Sequence, residues 1–467
     1  MLFSSFSFLF WFLPVTVLLY FLPALFLGRR TLAWQNGVLL VMSLIFYAWG
    51  EPIYLLLMIA TVAADTLFGV WLPRARHPRA VLTVAVILHV GLLFYFKYAS
   101  FFAGLLGLSL TAPRLPLGIS FYTFQALSYV IDVYRGRVAP EKNPARLGVY
   151  VALFPQLMAG PIVRYTDVAT ALHERRHSVG LAAAGTRRFA AGLLKKLLLA
   201  NPMGALFTLL VARGTALSAL GALTALIAFA LQIYFDFSGY SDMAIGLGRV
   251  FGFDFPENFR YPYTARSITD FWRRWHITLS SFFREYVYFP LGGSRRGGWR
   301  TVRNLFVVWS LTGLWHGASW NFILWGVYYF LLLVLEKFVL RRFLPPVPAF
   351  FAHTVALLGI LGGWLIFAFD GSTPTLTFAA LGGFVRSLLG LGGGFVARAE
   401  LYDIVRHLPL FALAVLGCTP LPRRIYRRMV AKKRRAWLRA ALPLAALLLA
   451  IVELSDAGFN PCLYFRF

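Results

Sequence analysis

Two histidines in the segment 261–321 are the residues of this sequence best suited to proton transfer. His276 lies in the basic, aromatic run FWRRWHITLS, and His316 lies in the apolar run GLWHGASW. Imidazole titrates close to neutral pH, and an ionisable side chain in an apolar segment is costly unless it has a function. A hydrogen-bonded core histidine is the alternative interpretation, and it is weaker for His316. The small residues Gly313 and Gly317 predict room for a ligand beside that ring.

Carboxylates and one amide are candidates for a supporting role. Asp236 and Asp242 lie in LQIYFDFSGYSDMAIGLG (231–248), which we place at a helix end. They could pair with local arginines, bind a cation or orient a histidine, and structural pairing is the favoured interpretation. Asn321, close after His316, is a further supporting candidate. The segment has no G-x-S-x-G elbow, so a serine hydrolase is not indicated.

Arginines near the histidines could hold phosphates, such as those of coenzyme A. Arg295 and Arg296 lie in the glycine-rich run LGGSRRGGWR, where exposed amides and guanidinium groups could bind phosphate. The run lacks the Lys-Ser/Thr of a Walker A motif, and an ordinary inner-leaflet loop remains the alternative. Arg273 and Arg274, between tryptophans, are typical of an interfacial helix; the alternative is a helix that lines a donor entrance.

The run HERRH, His173 to His177, matches the zinc-protease pattern H-E-x-x-H. Its neighbours are arginines, Ser178 and Gly180, with no apolar face and no obvious third ligand. We therefore predict a solvated loop and no metal site. Cys418 and Cys462 are too few and too far apart for a metal knuckle or a disulfide framework.

Composition places the chain among polytopic membrane proteins. Of its 467 residues 59% are hydrophobic and 13% charged, whereas about 25% are charged in a soluble protein. Apolar runs long enough to span a bilayer recur from end to end, which predicts an all-α fold and excludes an outer-membrane barrel. We expect a single transmembrane domain over 1–467, with a catalytic core near 115–330.

The net charge of +27 indicates membrane topology rather than a nucleic-acid partner. The basic residues form short clusters between apolar runs, and the densest cluster, Arg423 to Arg439, is predicted to face the cytoplasm and the anionic lipid leaflet. The first apolar run has no basic n-region or cleavage site, so we predict a retained helix. Arg29 and Arg30 follow it, which places the N-terminus outside.

Further spans and irregular segments follow from hydropathy. A re-entrant segment is expected at 147–163, followed by a polar region to about Lys196. Interfacial or cavity-lining helices are expected at 236–303, and a loop or short interfacial helix at 381–400. The predicted spans are 36–50, 52–72, 80–107, 117–134, 197–212, 216–235, 303–317, 319–340, 350–369, 405–418 and 440–454.

Five blocks in order resemble the bacterial branch of the membrane-bound O-acyltransferases, and in particular its alginate O-acetyltransferase-like members. They are SFYTFQALSYVIDVYRG, FPQLMAGPIVR, IYFDFSGYSDMAIGLG, ENFRYPYTARSITDFWRRWHITLSSFFREYVYFPLGG and GLWHGASWNFILWG. The resemblance extends over most of the chain. It implies a ring of about 11 transmembrane helices, with re-entrant and interfacial helices around a central funnel.

The resemblance also implies a function and its residues. It gives His316 as the catalytic histidine and His276 as a second active-site residue. It implies a bacterial inner-membrane enzyme that takes an acyl group, usually acetyl, from a cytosolic thioester such as acetyl-CoA. The group passes to an extracytoplasmic polysaccharide, often through a separate periplasmic acetyltransferase partner. The residues agree with this chemistry, since acyl transfer needs a base of near-neutral pKa and an apolar site that excludes water.

Two alternatives stay open at this point. The same branch contains the D-alanyl transferases of teichoic acid, which use an acyl carrier protein as donor. A transporter of lipid-linked sugars is the reading from a different class. It is disfavoured because such proteins often have internal repeats, and we find none here.

Overall fold

The computed structural model describes residues 1–110, 113–158, 160–343, 345, 347–371, 373–431 and 437–456. Throughout these residues the backbone forms helices and connecting turns and no β-strand. An apolar chain that crosses a bilayer must satisfy its backbone N–H and C=O groups internally, and a helix does so within one segment. The predicted all-α class is confirmed.

Eight helical stretches in the described part of the chain are long and apolar enough to cross a membrane. A ninth is reached if Arg398–Gly417 and Leu421–Ala431, which meet at 74°, form one broken span. The protein is therefore a polytopic membrane protein, but the predicted number of about eleven spans is not confirmed. The eight stretches are Ser7–Leu25, Thr31–Ala48, Tyr54–Arg74, Pro78–Lys97, Val179–Val211, Ala219–Val250, Trp320–Leu340 and Ala349–Ala368.

The α-helices are distributed over two compact units. One unit comprises Met1–Leu193 and Tyr240–Glu257, and the other comprises Leu194–Gly239 and Asn258–Phe467. A single domain over 1–467 stays a prediction. In chain order the helices are α1 Leu13–Phe21, α2 Thr31–Ala48, α3 Tyr54–Trp71, α4 Pro78–Lys97, α5 Ala99–Leu105, α6 Ile119–Tyr134, α7 Pro144–Ala152, α8 Phe154–Leu157, α9 Tyr165–His173, α10 Val179–Leu194, α11 Asn201–Val211, α12 Ala219–Val250, α13 Ile268–Trp272, α14 Ile277–Phe283, α15 Gly298–His316, α16 Trp320–Leu335, α17 Arg341–Phe343, α18 Ala349–Ala368, α19 Phe378–Leu388, α20 Arg398–Gly417, α21 Leu421–Ala431 and α22 Leu438–Asp456.

Helix α6 forms the centre of the first unit. Nearly all of its residues are buried, and α3, α4 and α7 pack against it. A side chain at Gly69 of α3 would overlap the Tyr129 hydroxyl, so the glycine permits the close contact between α3 and α6. The Asn143 side chain caps α7 by accepting a hydrogen bond from the Ala145 N–H at 2.9 Å.

The segment predicted to be re-entrant is a pair of short buried helices. The break between α7 and α8 falls at Leu153, whose backbone leaves the helical region. Pro155 then lies in the first turn of α8, where its missing N–H costs nothing. A Cβ on Gly160 would lie 2.7 Å from the Gln156 Cα, so only glycine fits there. Its re-entrant placement in the bilayer stays a prediction.

Helices α15 and α16 form the tightest pair in the second unit, and two glycines explain why. A Cβ on Gly313 would lie 2.5 Å from the Phe322 carbonyl oxygen. One on Gly326 would lie 2.6 Å from the Trp309 carbonyl oxygen. The two backbones therefore approach closely because neither position carries a side chain. Helix α16 also packs against α13 and α18.

Three boundaries predicted from the sequence are wrong. The span predicted at 80–107 ends at Lys97, and the short helix α5 follows it. The span predicted at 216–235 continues to Val250, because Asp236 and Asp242 pair with Lys196 and Arg188 and so can lie within the helix. Asp236 and Asp242 therefore lie inside α12 rather than at a helix end. The region predicted to be polar up to Lys196 contains α10, in which Phe189 and Leu193 are buried.

Candidate active site

His316 lies in the last turn of α15 and is surrounded by aromatic rings. Its side chain is 5% exposed, and the centroid of its ring lies 5.0 Å from that of Trp325 and 5.2 Å from that of Phe367. The space beside Gly317 is filled, because a Cβ there would lie 2.5 Å from the Phe322 ring. Gly313 is likewise filled by α16. The two glycines therefore permit close packing against α16, and room for a ligand beside His316 stays a prediction.

His276 is buried immediately before α14, in an uncommon backbone conformation. It is 1% exposed, and its φ of 43° and ψ of 53° lie in the left-handed region. That conformation costs a residue with a side chain about 1–2 kcal/mol and is found preferentially at functional sites. The Phe237 ring meets the imidazole edge to face, with centroids 4.6 Å apart.

Asn258 holds His276 and the start of α14 in place. The His276 Nδ1 lies 3.1 Å from Asn258 Oδ1, within hydrogen-bond distance. The same oxygen accepts from the Thr278 hydroxyl at 2.9 Å and from the Thr278 backbone N–H at 3.3 Å. Asn258 is fully buried. Asn258 belongs to the block that begins ENFRYPYT, but its role is not predictable from the sequence, because it lies in a loop 18 positions before its partner.

The other ring nitrogen of His276 faces the protein interior. Nε2 is buried and has no hydrogen-bond partner among the residues that the structure describes. Burial lowers the pKa of His276 to about 3, because a charged ring would lose its hydration. At neutral pH the ring is therefore uncharged, and Nε2 carries a lone pair.

Trp315 brings the two histidines to one place. Its ring centroid lies 5.9 Å from that of His276 and 4.9 Å from that of His316. Both imidazoles are buried, so little water reaches the place where they meet the indole. The site residues predicted at 276 and 316 are thus neighbours of one side chain, which the linear spacing did not reveal.

The two supporting carboxylates make ion pairs. Lys196 Nζ lies 2.7 Å from Asp236 Oδ1, and both side chains are buried. Asp242 accepts from Arg188 Nε at 2.9 Å, and Arg188 also donates to Glu257 Oε1 at 2.6 Å. This geometry agrees with the pairing interpretation, although Asp236 pairs with a lysine rather than with the expected arginine.

Asn321 acts on the aromatic surroundings of His316. Its Nδ2 donates to the Phe367 carbonyl at 3.5 Å, and its Oδ1 accepts from the Ser319 hydroxyl. The Phe367 ring is one of those that face His316. Asn321 therefore ties the start of α16 to the end of α18 and helps to place that ring.

The four candidate donor-binding arginines fall into two groups. Arg295 and Arg296 are exposed in the turn between Gly292 and Gly297. Arg273 is exposed after α13, whereas Arg274 is half-buried and donates to Asp270 at 2.8 Å. Arg274 is therefore already engaged with a carboxylate.

The HERRH run has structural contacts. His173 Nε2 lies 2.9 Å from Glu141 Oε2, and His177 Nε2 lies 3.2 Å from the Tyr20 hydroxyl. Arg175 donates to that hydroxyl at 2.9 Å and is half-buried, so the predicted solvated loop is wrong for this residue. Within the described ranges, no cluster of three or more His, Cys, Asp or Glu residues could hold a metal ion. Cys462 lies outside those ranges.

Taken together, the apolar helices are those of a polytopic membrane protein, in which two buried imidazoles lie beside one indole. Residues 143–377 match the model of MBOAT, the membrane-bound O-acyltransferase family. The chain belongs to this family, and it is an O-acyltransferase.

Three relatives indicate the range of acceptors in the family. A protein of Pseudomonas aeruginosa named "Probable alginate O-acetylase AlgI" is 41% identical over 79% of this chain and 72% of its own length. The "Peptidoglycan O-acetyltransferase" of Helicobacter pylori is 33% identical over 84% and 80%. The "Teichoic acid D-alanyltransferase" of Bacillus subtilis is 29% identical over 48% and 59%.

Proposed function

We propose that this O-acyltransferase is an O-acetyltransferase of the bacterial inner membrane. It takes acetyl from a cytosolic thioester, acetyl-CoA, and the group is carried across the membrane for O-acetylation of an extracytoplasmic polysaccharide. A periplasmic acetyltransferase takes part as partner. The relatives named for O-acetylation cover more of this chain than the one named for D-alanylation, and this difference supports acetyl as the acyl group.

His316 is the proposed general base. The hydroxyl oxygen of the acceptor attacks the thioester carbonyl carbon, and His316 takes the hydroxyl proton as the new C–O bond forms. The C–S bond then breaks, and His316 returns the proton to the leaving thiolate. The products are an ester and a free thiol, and no atom or charge is left over. The observation that carries the assignment is the burial of His316 among aromatic rings, beside the indole that also contacts His276.

We propose that exposed arginines bind the phosphates of the acetyl-CoA donor. Arg295 and Arg296 are exposed, whereas Arg274 is engaged with Asp270, so the first two support phosphate binding better than Arg274 does. Arg273 is also exposed. The membrane lipids surround the apolar helices, and no nucleic acid takes part.

The product in the cell tests the proposal. The gene would be deleted from its own bacterium and replaced by wild type, His316→Ala or His77→Ala. O-linked acetate would then be released from the extracellular polysaccharide with mild alkali and measured. Acetate should return with wild type and with His77→Ala, whose exposed histidine serves as the control, but not with His316→Ala. Release of D-alanine instead of acetate would support the alternative, a D-alanyl transferase that uses a carrier protein as donor.

A further inference from the structure

We propose that Asn258 is a positioning residue that holds His276 in the Nδ1–H tautomer, so that Nε2 accepts a hydrogen bond from a substrate. The inference rests on the proposed function, because it takes that substrate to be one of the two reactants of acyl transfer. It assigns His276 a hydrogen-bond acceptor role and leaves the proton of the reacting hydroxyl to His316.

The orientation of the Asn258 amide is the first step. An Asn side chain can present either its oxygen or its nitrogen. Here the atom that faces His276 also lies 3.3 Å from the Thr278 backbone N–H, which can only donate. The Asn258 atom at this point must therefore be the carbonyl oxygen.

The tautomer of His276 follows from that oxygen. Asn258 Oδ1 can only accept, so the imidazole nitrogen 3.1 Å away must carry the proton. A neutral imidazole carries one ring proton, and with that proton on Nδ1 the nitrogen Nε2 has none. The left-handed backbone at His276 and the edge contact with Phe237 keep the ring in this orientation.

The unprotonated Nε2 can accept a hydrogen bond but cannot donate one. A neutral ring in this tautomer has no proton on Nε2, so this nitrogen cannot donate a hydrogen bond to a developing oxyanion. A buried acceptor without a partner carries a desolvation cost, and a substrate N–H or O–H group would remove it. The donor group is either an amide N–H of the acyl donor's arm or a neighbouring hydroxyl of the acceptor.

Nitrogen-15 spectroscopy tests the tautomer without any assay. The purified protein would be labelled with ¹⁵N-histidine, and the His276 signals would be identified by their loss in His276→Gln. At pH 7 we expect a proton on Nδ1 and none on Nε2 in wild type, and a mixture of tautomers in Asn258→Leu. A proton on Nε2 in wild type would overturn the proposal, whether or not the protein turns over acetyl-CoA.

Three substitutions test the consequence for turnover. Asn258→Leu keeps the side-chain size but removes the acceptor, and we expect kcat/KM for acetyl-CoA to fall about tenfold or more, the effect of one lost hydrogen bond. Asn258→Asp keeps an acceptor oxygen and should restore most of the activity, with the acid limb of the pH profile moved upward because a carboxylate favours the charged ring. Thr278→Val removes another donor to the same oxygen and should stay near wild type.

The kinetic constants identify the substrate that binds Nε2. A raised KM for acetyl-CoA in Asn258→Leu would point to the acyl donor, and an unchanged KM with a lower kcat would point to the acceptor. The proposal would be overturned if kcat/KM fell equally in Asn258→Asp and Asn258→Leu. It would also be overturned if kcat/KM fell equally in Thr278→Val and Asn258→Leu. In either case Asn258 would have only a structural role. Failure of the proposed function would be recognised separately, as turnover that does not depend on His316.

Discussion

At the scale of the residue, the active-site candidates are distinguished by what surrounds them. His316 is enclosed by aromatic rings and His276 is tied to Asn258, so one ring lies in a hydrocarbon-like setting and the other in a fixed tautomer. Both imidazoles are buried, but His316 contacts aromatic rings whereas His276 contacts the Asn258 amide. We therefore expect substitutions of single side chains to change stability and protonation.

The buried His276 should make stability depend on pH. Its pKa is lowered from 6.5 to about 3 in the folded protein, so the unfolded chain binds the extra proton between these values. Stability is fully present above pH 6.5 and is lost as the pH falls. Going from pH 7 to pH 5 should cost about 2 kcal/mol. Thermal unfolding in detergent at several pH values measures this, and His276→Gln should flatten the profile. If the pH dependence of the thermal midpoint were the same in His276→Gln as in wild type, His276 would not be the source of that dependence.

The Lys196–Asp236 pair is expected to stabilise the fold. Removing one partner of a buried ion pair leaves an unpaired charge and costs about 3–5 kcal/mol. Asp236→Ala should therefore lower the thermal midpoint strongly, and the double variant Asp236→Leu with Lys196→Met should regain part of it. If Asp236→Ala unfolds like wild type but loses turnover, the carboxylate acts in the reaction instead.

At the scale of the element, the site depends on the close pairing of α15 and α16. This pairing places His316 against Trp325 and the end of α18, and it relies on glycine at the crossing. The hydropathy of the chain predicted both helices, but not the crossing, because hydropathy does not encode which small residues face a neighbour.

Gly313→Ala tests the crossing. The added Cβ would lie 2.5 Å from the Phe322 carbonyl oxygen, so the helices must separate, at a cost of about 1–3 kcal/mol. The thermal midpoint and the turnover should both fall. Gly382→Ala in α19 is the matched control, since nothing lies within 4 Å of its Cβ position. Equal midpoints for the two variants would mean that the crossing is not tight.

The turn before α15 should govern donor affinity. The double variant Arg295→Ala with Arg296→Ala should raise KM for acetyl-CoA by about tenfold, because charge-assisted hydrogen bonds to phosphate are lost. Its kcat should change little. Arg266→Ala, another exposed arginine, is the control. An unchanged KM for acetyl-CoA in the double variant would contradict donor binding at this turn and would favour the alternative interpretation, an ordinary loop at the inner leaflet.

At the scale of the whole molecule, the sequence predicted the class better than the details. Long apolar runs predicted most of the candidate spans, since a helix that crosses a bilayer needs about 20 mainly apolar residues. Hydropathy could not predict that α12 continues past Asp236, because Lys196, the partner that neutralises this carboxylate, is 40 positions away. The role of Asn258 was not predictable for the same reason. Pairings between distant residues belong to the tertiary fold, and spacing along one chain does not contain them.

Topology can be tested on the whole chain. The positive-inside rule places the N-terminus outside and the basic helix α21 in the cytoplasm. In a protein whose Cys418 and Cys462 are replaced by alanine, a cysteine at Arg424 should react with an impermeant maleimide only after the inner membrane is opened. A cysteine at Ile53, after the second span, should react in intact cells. The reverse pattern would invert the topology.

The most direct test of the account is release of free coenzyme A from labelled acetyl-CoA by the purified protein. Wild type would be compared with His316→Gln and with His77→Gln as the control. We expect turnover in wild type and in His77→Gln, and a loss of about 100-fold or more in His316→Gln, the usual contribution of a general base. Equal turnover in all three proteins would contradict this expectation, since the reaction would then not depend on His316.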